Sequence, residues 1–253
     1  MKKSVFSLLL VSLLFYSCQE KSLKEQYKTL NETTESKFKQ SVSPSEQDSL
    51  IDDFKQQAYI LLQENIGKEY SDSIFLDIFY LLSVEEQESL FNMMPNEMKE
   101  EAEIAACYKC FTAQKKTSIG CIFSEVQGLD TEGNPFALSS IIGSTDFVLV
   151  DFWASWCGPC RRALPKLKAL SAQMPEGKLT ILGVSCDKDT TAWLQTIQKE
   201  QLPWQQIRDT DSIPYTPFDM YGVRSIPTTI LIDSTGLIIA RNPSFEELME
   251  LLK

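Results

Sequence analysis

Residues 147–160 read FVLVDFWASWCGPC. The first seven form a near-continuous apolar run, which is typical of a β-strand that is covered on both faces. A helix is predicted over residues 159–173, so a pair of cysteines lies where the strand ends and the helix begins. There the first sulfur is beside unpaired backbone N–H groups and the positive end of the helix dipole, which favours the thiolate. We therefore identify Cys157 as the candidate nucleophile and Cys160 as the residue that resolves the mixed disulfide.

The composition restricts the chemistry that is available. The chain has 253 residues, 7 cysteines and no histidine. The lack of histidine excludes a Ser-His-Asp or Cys-His nucleophile, a histidine zinc site and a haem with a histidine ligand. The formal net charge is −11, so no nucleic-acid partner is expected. Catalysis would have to use cysteine, carboxylate, lysine or tyrosine.

The pattern after the two cysteines predicts the rest of an α/β domain. We predict a second buried strand at 179–185, a helix at 190–200, a hairpin of strands at 228–232 and 237–240, and a final short helix capped by Ser244. This order of elements is typical of a mixed sheet sandwiched by helices. The α/β domain is predicted to span residues 118–253.

The residues before this domain have helical periodicity. Ser43 and Ser83 each open a capping-box pattern, and residues 43–117 are predicted to form a small all-helical domain that contains no recognisable catalytic motif. Residues 18–42 are rich in Lys, Glu, Thr and Ser. That composition predicts a solvated tether or a weak helix.

The N-terminus has the pattern of a targeting segment. Two lysines precede an apolar run that is too short to span a bilayer comfortably. Residues 1–17 are predicted to be a lipoprotein-type signal peptide, with Cys18 as the lipidated N-terminus after cleavage. An ordinary cleaved signal with an incidental cysteine is the alternative. The predicted location is the cell envelope, as a membrane-anchored lipoprotein that faces the periplasm or the surface.

The segment that contains the two cysteines resembles the active-site segment of the thioredoxin superfamily. Over about residues 118–253 the chain is similar to the TlpA-like thiol-disulfide oxidoreductases. The similarity rests on the following positions: Gly120 and Phe123; Asp130, Gly133 and Leu138; residues 150–161; residues 183–185 and 187–189; and residues 221–223 and 226–228. The resemblance implies a thioredoxin-like fold for the C-terminal domain.

The resemblance also implies roles for individual residues. The bond between Ile226 and Pro227 would be cis and would pack against the dithiol, presenting backbone with which an extended substrate pairs. Asp151 would be buried behind Cys160 and would help to move its proton. Because Asp151 lies in an apolar run, burial would raise its pKa into a useful range. The candidate substrate-binding residues are Trp156, Gly158, Pro159, Ile226 and Pro227.

Plainer interpretations exist for each of these residues. Cys157 and Cys160 could form a purely structural disulfide or half of a zinc site. Asp151 could be solvated at the edge of the sheet, and Pro227 could be an ordinary trans proline. One departure from the family pattern is Leu164, which stands where many TlpA-like proteins carry a glutamate. Any tuning of the dithiol by that glutamate would be absent.

The other cysteines carry weaker signals. Cys107 and Cys110 share one face of a predicted helix, which permits a metal pair, a strained disulfide or two buried thiols. A bridge from Cys121 to either of them is a further hypothesis. Cys186 ends the second buried strand and is most simply a core residue.

These patterns predict a thiol-disulfide oxidoreductase that exchanges electrons with protein disulfides or thiols outside the cytoplasm. The Gly-Pro pair between the cysteines resembles reducing members of the family, so a reductase with a membrane electron donor is expected. Apart from the redox-active disulfide of Cys157 and Cys160, no cofactor or metal is expected. The alternatives are a thiol peroxidase and a binding lipoprotein with a non-catalytic dithiol.

Overall fold

The computed structural model describes residues 21–209 and 216–253. The predicted signal peptide, residues 1–17, and the predicted lipidation site Cys18 lie outside the described residues. Within these residues, no helix is both long enough and apolar enough to cross a membrane. The chain divides into two compact units between Ile74 and Phe75.

From residue 21 onward, where the description begins, six helices precede the sheet. They are α1 (Leu23–Gln40), α2 (Pro44–Asn65), α3 (Ser71–Ile78), α4 (Val84–Met93), α5 (Asn96–Lys99) and α6 (Ala102–Lys116), with a short 3-10 turn at Phe79–Leu81. The predicted caps at Ser43 and Ser83 are confirmed, because each side chain accepts a hydrogen bond from a backbone N–H in the first turn of the following helix.

Residues 23–40 form a helix where the sequence predicts a tether or a weak helix. Ser22 and Glu25 make a reciprocal capping box at its start. Tyr27 is buried, and its ring lies 6.1 Å from the ring of Phe54 on α2. These contacts hold α1 against α2, so the helix is the one of the two predicted alternatives that is observed. A single buried side chain in a polar helix gives little apolar periodicity, which is why the sequence left both alternatives open.

The remaining elements build one sheet of seven strands with four helices. They are β1 (Gln127–Asp130), β2 (Pro135–Ala137), β3 (Phe147–Trp153), α7 (Gly158–Gln173), β4 (Leu179–Ser185), α8 (Thr190–Glu200), β5 (Gln205–Arg208), α9 (Pro217–Met220), β6 (Thr228–Asp233), β7 (Ile238–Arg241) and α10 (Phe245–Leu251). The strand order is β2-β1-β5-β4-β3-β6-β7. Strand β4 is parallel to β3 and β5, while β6 runs antiparallel to β3. The predicted mixed sheet between helices is confirmed.

Strand β3 lies inside the sheet and is buried on both faces. Val148, Val150 and Phe152 belong to the apolar cluster on one face. Leu149 packs on the other face with residues of α7 and α10. The alternation follows from the period of two in a β-strand. The apolar run thus specifies a strand that carries the two cysteines on its C-terminal extension.

Three short strands, β1, β2 and β5, were not predicted. They are three or four residues long and carry polar residues such as Gln127, Gln205 and Gln206. Gln206 is nevertheless buried, and its Oε1 accepts a hydrogen bond of 3.0 Å from the indole nitrogen of Trp153. A buried amide that pairs with a distant tryptophan leaves no apolar signal in the sequence.

Helix α6, the last helix before the sheet, packs on the α/β domain. The boundary between the two compact units therefore lies before α6, whereas the sequence predicts a domain boundary at residue 117. The Gln114 side-chain nitrogen donates to the carbonyl oxygen of Gly222 at 2.8 Å, and the Cys110 thiol lies 3.4 Å from the same oxygen. A Cβ added to Gly222, whose φ is +58°, would lie 2.6 Å from the Cys110 carbonyl oxygen. Helix α6 and the segment that contains Gly222 are therefore in close contact, which the lack of a side chain at Gly222 permits.

This contact predicts the effect of Gly222→Ala. Substitution adds left-handed backbone strain and a clash with helix α6, so we expect a loss of about 2–5 kcal/mol in the free energy of unfolding. The matched control is Gly177→Ala, because Gly177 has a φ of +80° but open space around it. It should lose only about 1–2 kcal/mol. Urea denaturation measures the free energy of unfolding of both variants. Equal losses in Gly222→Ala and Gly177→Ala would contradict the close contact with α6.

Candidate active site

The two cysteines lie at the junction between β3 and α7. Cys157 is the N-cap of α7, and its sulfur accepts the backbone N–H of Cys160 at 3.1 Å. Cys157 and Cys160 form a disulfide with a Cα–Cα distance of 5.3 Å. When this bond is reduced, the same N–H group and the helix dipole would stabilise a thiolate at Cys157. The position predicted from the sequence is confirmed.

Residues 154–156 connect β3 to the dithiol, and a buried carboxylate holds this loop. Asp187 accepts hydrogen bonds from the backbone N–H of Ser155 at 2.8 Å and from its hydroxyl at 2.6 Å. The hydroxyl of Ser185, at the end of β4, donates to the same carboxylate at 2.6 Å. Asp187 was noted in the sequence only as part of a family pattern. Its anchoring role could not be found there, because Ser155 and Asp187 meet only across the sheet.

A second loop approaches the dithiol from the start of β6. The Ile226–Pro227 peptide bond is cis, as predicted. The sulfur of Cys157 lies 3.7 Å from the carbonyl oxygen of Ile226. Trp156 is 69% exposed, so its ring forms a free wall beside the dithiol, and Gly158 and Pro159 are exposed next to it. The substrate-binding candidates therefore lie together around one sulfur.

Asp151 lies in the middle of β3 and is 3% exposed. Burial alone raises the pKa of its carboxyl to about 7. The carboxyl makes no hydrogen bond with any of the residues in 21–209 and 216–253. It lines an open cavity of about 290 Å³ together with Pro227 and Lys166. The alternative of a solvated carboxylate at the sheet edge is thus wrong.

The dithiol is surrounded by apolar side chains. Both cysteines belong to one buried cluster with Trp153, Trp193 and Leu164. Leu164 is 1% exposed, so the position where the family resemblance implies a glutamate adds to the apolar surroundings of the dithiol. In these apolar surroundings, nearby charges and dipoles have a stronger electrostatic effect on the dithiol than they would have in water.

The other cysteines are not part of this site. Cys107, Cys110, Cys121 and Cys186 are all free, so none of the bridges considered from the sequence is formed. Burial raises the pKa of Cys107 and of Cys186 to about 11, which makes these thiols poor nucleophiles. Among the described residues, no cluster of cysteine and carboxylate side chains could hold a metal ion.

Comparison with known proteins gives matches to the same part of the chain. Residues 119–241 match the AhpC/TSA family. The thiol-disulfide oxidoreductase ResA of Halalkalibacterium halodurans is 28% identical over 130 residues, which are 49% of this chain and 71% of that protein. A thioredoxin of Chlamydia trachomatis is 34% identical over 44% of this chain and 80% of its own length. The C-terminal domain of a putative thiol-disulfide oxidoreductase from Bacteroides thetaiotaomicron is 27% identical, with a TM-score of 0.50, over 54% of this chain and 95% of that domain.

The raised pKa of Asp151 predicts how stability depends on pH. An aspartate ionises near pH 3.9 in an unfolded chain, and the pKa of Asp151 is about 7 in the folded protein. The folded state therefore binds the extra proton, and stability falls as pH rises from about 4 to about 7. From this residue we expect a loss of about 2–3 kcal/mol between about pH 5 and about pH 8. Asp151→Asn should remove that loss, as measured by urea denaturation of the oxidised protein.

Asp233→Asn is the matched control. Hydrogen bonds from Thr235 keep the pKa of Asp233 below its usual value, so its stabilisation is present above about pH 4 and is lost only in acid. This variant should lower the free energy of unfolding by the same amount at about pH 5 and about pH 8. The change of that free energy with pH should therefore be the same as in the wild type. If Asp151→Asn leaves the pH dependence of the unfolding free energy unchanged, the Asp151 carboxyl is already ionised at about pH 5.

Proposed function

The chain belongs to the thioredoxin-like AhpC/TSA family and is a thiol-disulfide oxidoreductase, and we propose that it reduces protein disulfides outside the cytoplasm through Cys157 and Cys160. The observation that carries this proposal is the position of the Cys157 sulfur. It accepts a backbone N–H at the start of a helix and faces the cis-proline loop at 3.7 Å. A structural disulfide would need neither feature.

The first step is an exchange of sulfur–sulfur bonds. In the reduced enzyme, the Cys157 thiolate attacks one sulfur of the client disulfide. A bond forms between Cys157 and that sulfur, the client disulfide bond breaks, and the other client sulfur leaves as a thiolate that takes a proton from water. Cys157 itself is only 4% exposed, but Trp156 and Gly158 are exposed on either side of it, so a client would reach its sulfur between these two residues.

The second step releases the client. The Cys160 thiol loses its proton to an ionised Asp151, and its sulfur attacks the sulfur of Cys157. The mixed disulfide breaks, and the second client sulfur leaves as a thiolate. Two electrons have then passed from the enzyme dithiol to the client, and the enzyme holds the disulfide between Cys157 and Cys160. A pKa of about 7 suits Asp151 to both accepting and returning a proton near neutral pH.

The direction of transfer and the location complete the proposal. The Gly-Pro pair between the cysteines is similar to that of reducing relatives, so a membrane electron donor would regenerate the dithiol. The leader in residues 1–17 and Cys18 support a lipoprotein that is tethered in the cell envelope. No cofactor beyond the dithiol is required by this chemistry.

Reduction of insulin disulfides tests this function. With dithiothreitol as donor, Cys157→Ser should fall to the uncatalysed rate, because serine cannot form the mixed disulfide. Cys160→Ser should accumulate a mixed disulfide on Cys157 that is detected by non-reducing electrophoresis. The matched control Cys121→Ser, which removes a free thiol elsewhere, should keep the wild-type rate.

Several results would contradict the proposal. Equal activity of wild type and Cys157→Ser would exclude the dithiol as the site, and no activity in either would favour a binding lipoprotein. Rapid peroxide consumption that depends on Cys157 would favour a thiol peroxidase. A reduction potential near about −120 mV would make the protein an oxidant instead of a reductase.

A further inference from the structure

Helix α7, which begins at the dithiol, is basic in an otherwise acidic protein. Its sequence, GPCRRALPKLKALSAQ, contains four basic residues and no acidic residue, whereas the whole chain has a formal net charge of −11. Arg161 is paired with Glu200 at 2.8 Å. Lys168 donates to the carbonyl oxygen of Glu200 at 2.7 Å. These two residues are therefore used within the fold.

Arg162 and Lys166, which we call the basic pair, are not used in this way. Both are exposed, and neither forms an ion pair or a hydrogen bond with any side chain or carbonyl in residues 21–209 and 216–253. They lie four residues apart on one face of α7, where like charges destabilise a helix by a few tenths of a kcal/mol. Within the part of the chain that the structure describes, the two charges serve no contact, so they are available to a ligand.

The basic pair lies along the route that a client would follow. A guanidinium nitrogen of Arg162 is 3.4 Å from the position that a Cβ on Gly158 would occupy, next to Cys157. Lys166 lines the same open cavity as Pro227 of the cis-proline loop. One cation thus lies beside Gly158, the residue that follows Cys157, and the other lines the cavity beside the cis-proline loop.

The spacing of the two cations fits an extended chain. Four residues of helix rise about 6 Å, and side chains at alternate positions of a β-strand are about 7 Å apart on one face. Two carboxylates at alternate positions of an extended client could therefore contact both cations at once. Asp151 is the acidic side chain that lines this cavity, and because desolvation favours its neutral form, its repulsion of such a client is limited.

We propose that the basic pair, Arg162 and Lys166, selects clients that carry acidic side chains at alternate positions near the target cysteine. This inference rests on the proposed function and specifies its substrate class. The cations lie beside Gly158 of the active-site motif and beside Pro227 of the cis-proline loop, where an extended client would pair, so an acidic polypeptide is the occupant that their position favours. Trp156, exposed beside Cys157, would cover the apolar part of the same segment.

The test uses peptides with a single cysteine that is activated as a neutral 2-pyridyl disulfide. One set carries glutamates at alternate positions on either side of the cysteine, and the matched set carries glutamines. Reduced full-length protein attacks the cysteine sulfur and releases 2-thiopyridone, whose absorbance gives the rate. Each reduced molecule reacts once, so the measured quantity is the second-order rate constant, which we expect to be about 5- to 20-fold higher for the better glutamate peptide at low salt. The preference should shrink strongly at about 1 M salt, where screening reaches about 3 Å.

Variants assign the preference to the basic pair. In Arg162→Gln/Lys166→Gln the ratio of glutamate to glutamine rates should fall to about one. Arg162→Lys/Lys166→Arg keeps both charges and should keep the ratio. The control Lys99→Gln/Lys116→Gln makes the same change in net charge on helices α5 and α6 and should also keep it.

The outcomes separate this inference from the proposed function. Turnover of both peptide sets at equal rates would overturn the acidic-client inference and leave the reductase intact. Failure to turn over either set would overturn the reductase itself. A preference that persists in Arg162→Gln/Lys166→Gln would assign selection to other residues. If the same variant instead abolished binding to anionic vesicles without changing the peptide ratio, the basic pair would be a membrane contact.

Discussion

The structure depends on the junction between strand β3 and helix α7. The strand is buried on both faces by apolar clusters, which fixes where it ends. The helix begins at once, and its first free N–H groups meet the sulfur of Cys157. The buried carboxylate of Asp187 holds the short loop between them. A small shift at this junction would separate the sulfur from the N–H that stabilises its charge, so the redox chemistry follows from the packing of β3.

Charge is distributed unevenly around the dithiol. One carboxyl, Asp151, is buried in the strand, where desolvation favours its neutral form. Two cations that have no partner among the described residues, Arg162 and Lys166, lie on the exposed face of the adjoining helix. The buried group can exchange a proton without attracting solvent ions, whereas the exposed groups can act on a client before it reaches the sulfur. The two kinds of group serve different steps because they differ in burial.

Local patterns predicted the structure correctly wherever they had a direct physical cause. The strand at β3, the helix start at Cys157, the helix caps at Ser43 and Ser83, and the mixed sheet were all predicted correctly. The sequence was less informative about the N-terminal half. Helix α1 and the contact between α6 and Gly222 depend on a few side chains that meet across the fold, and such contacts leave no periodic signal. The roles assigned to Cys157, Cys160 and Asp151 stay predictions until the variants are measured.

The sequence by itself determined the chemistry, because the lack of histidine and the cysteine pair at a helix start leave thiol exchange as the reaction that these residues support. The tertiary structure alone decided the surroundings of that pair. It brought Ile226, Asp187 and Gln206 from distant positions in the chain to the end of β3. It also left Arg162 and Lys166 without a partner in residues 21–209 and 216–253. The physical reason is that a thiolate is stabilised by its nearest helix turn, whereas burial and ion pairing depend on every element that packs against it.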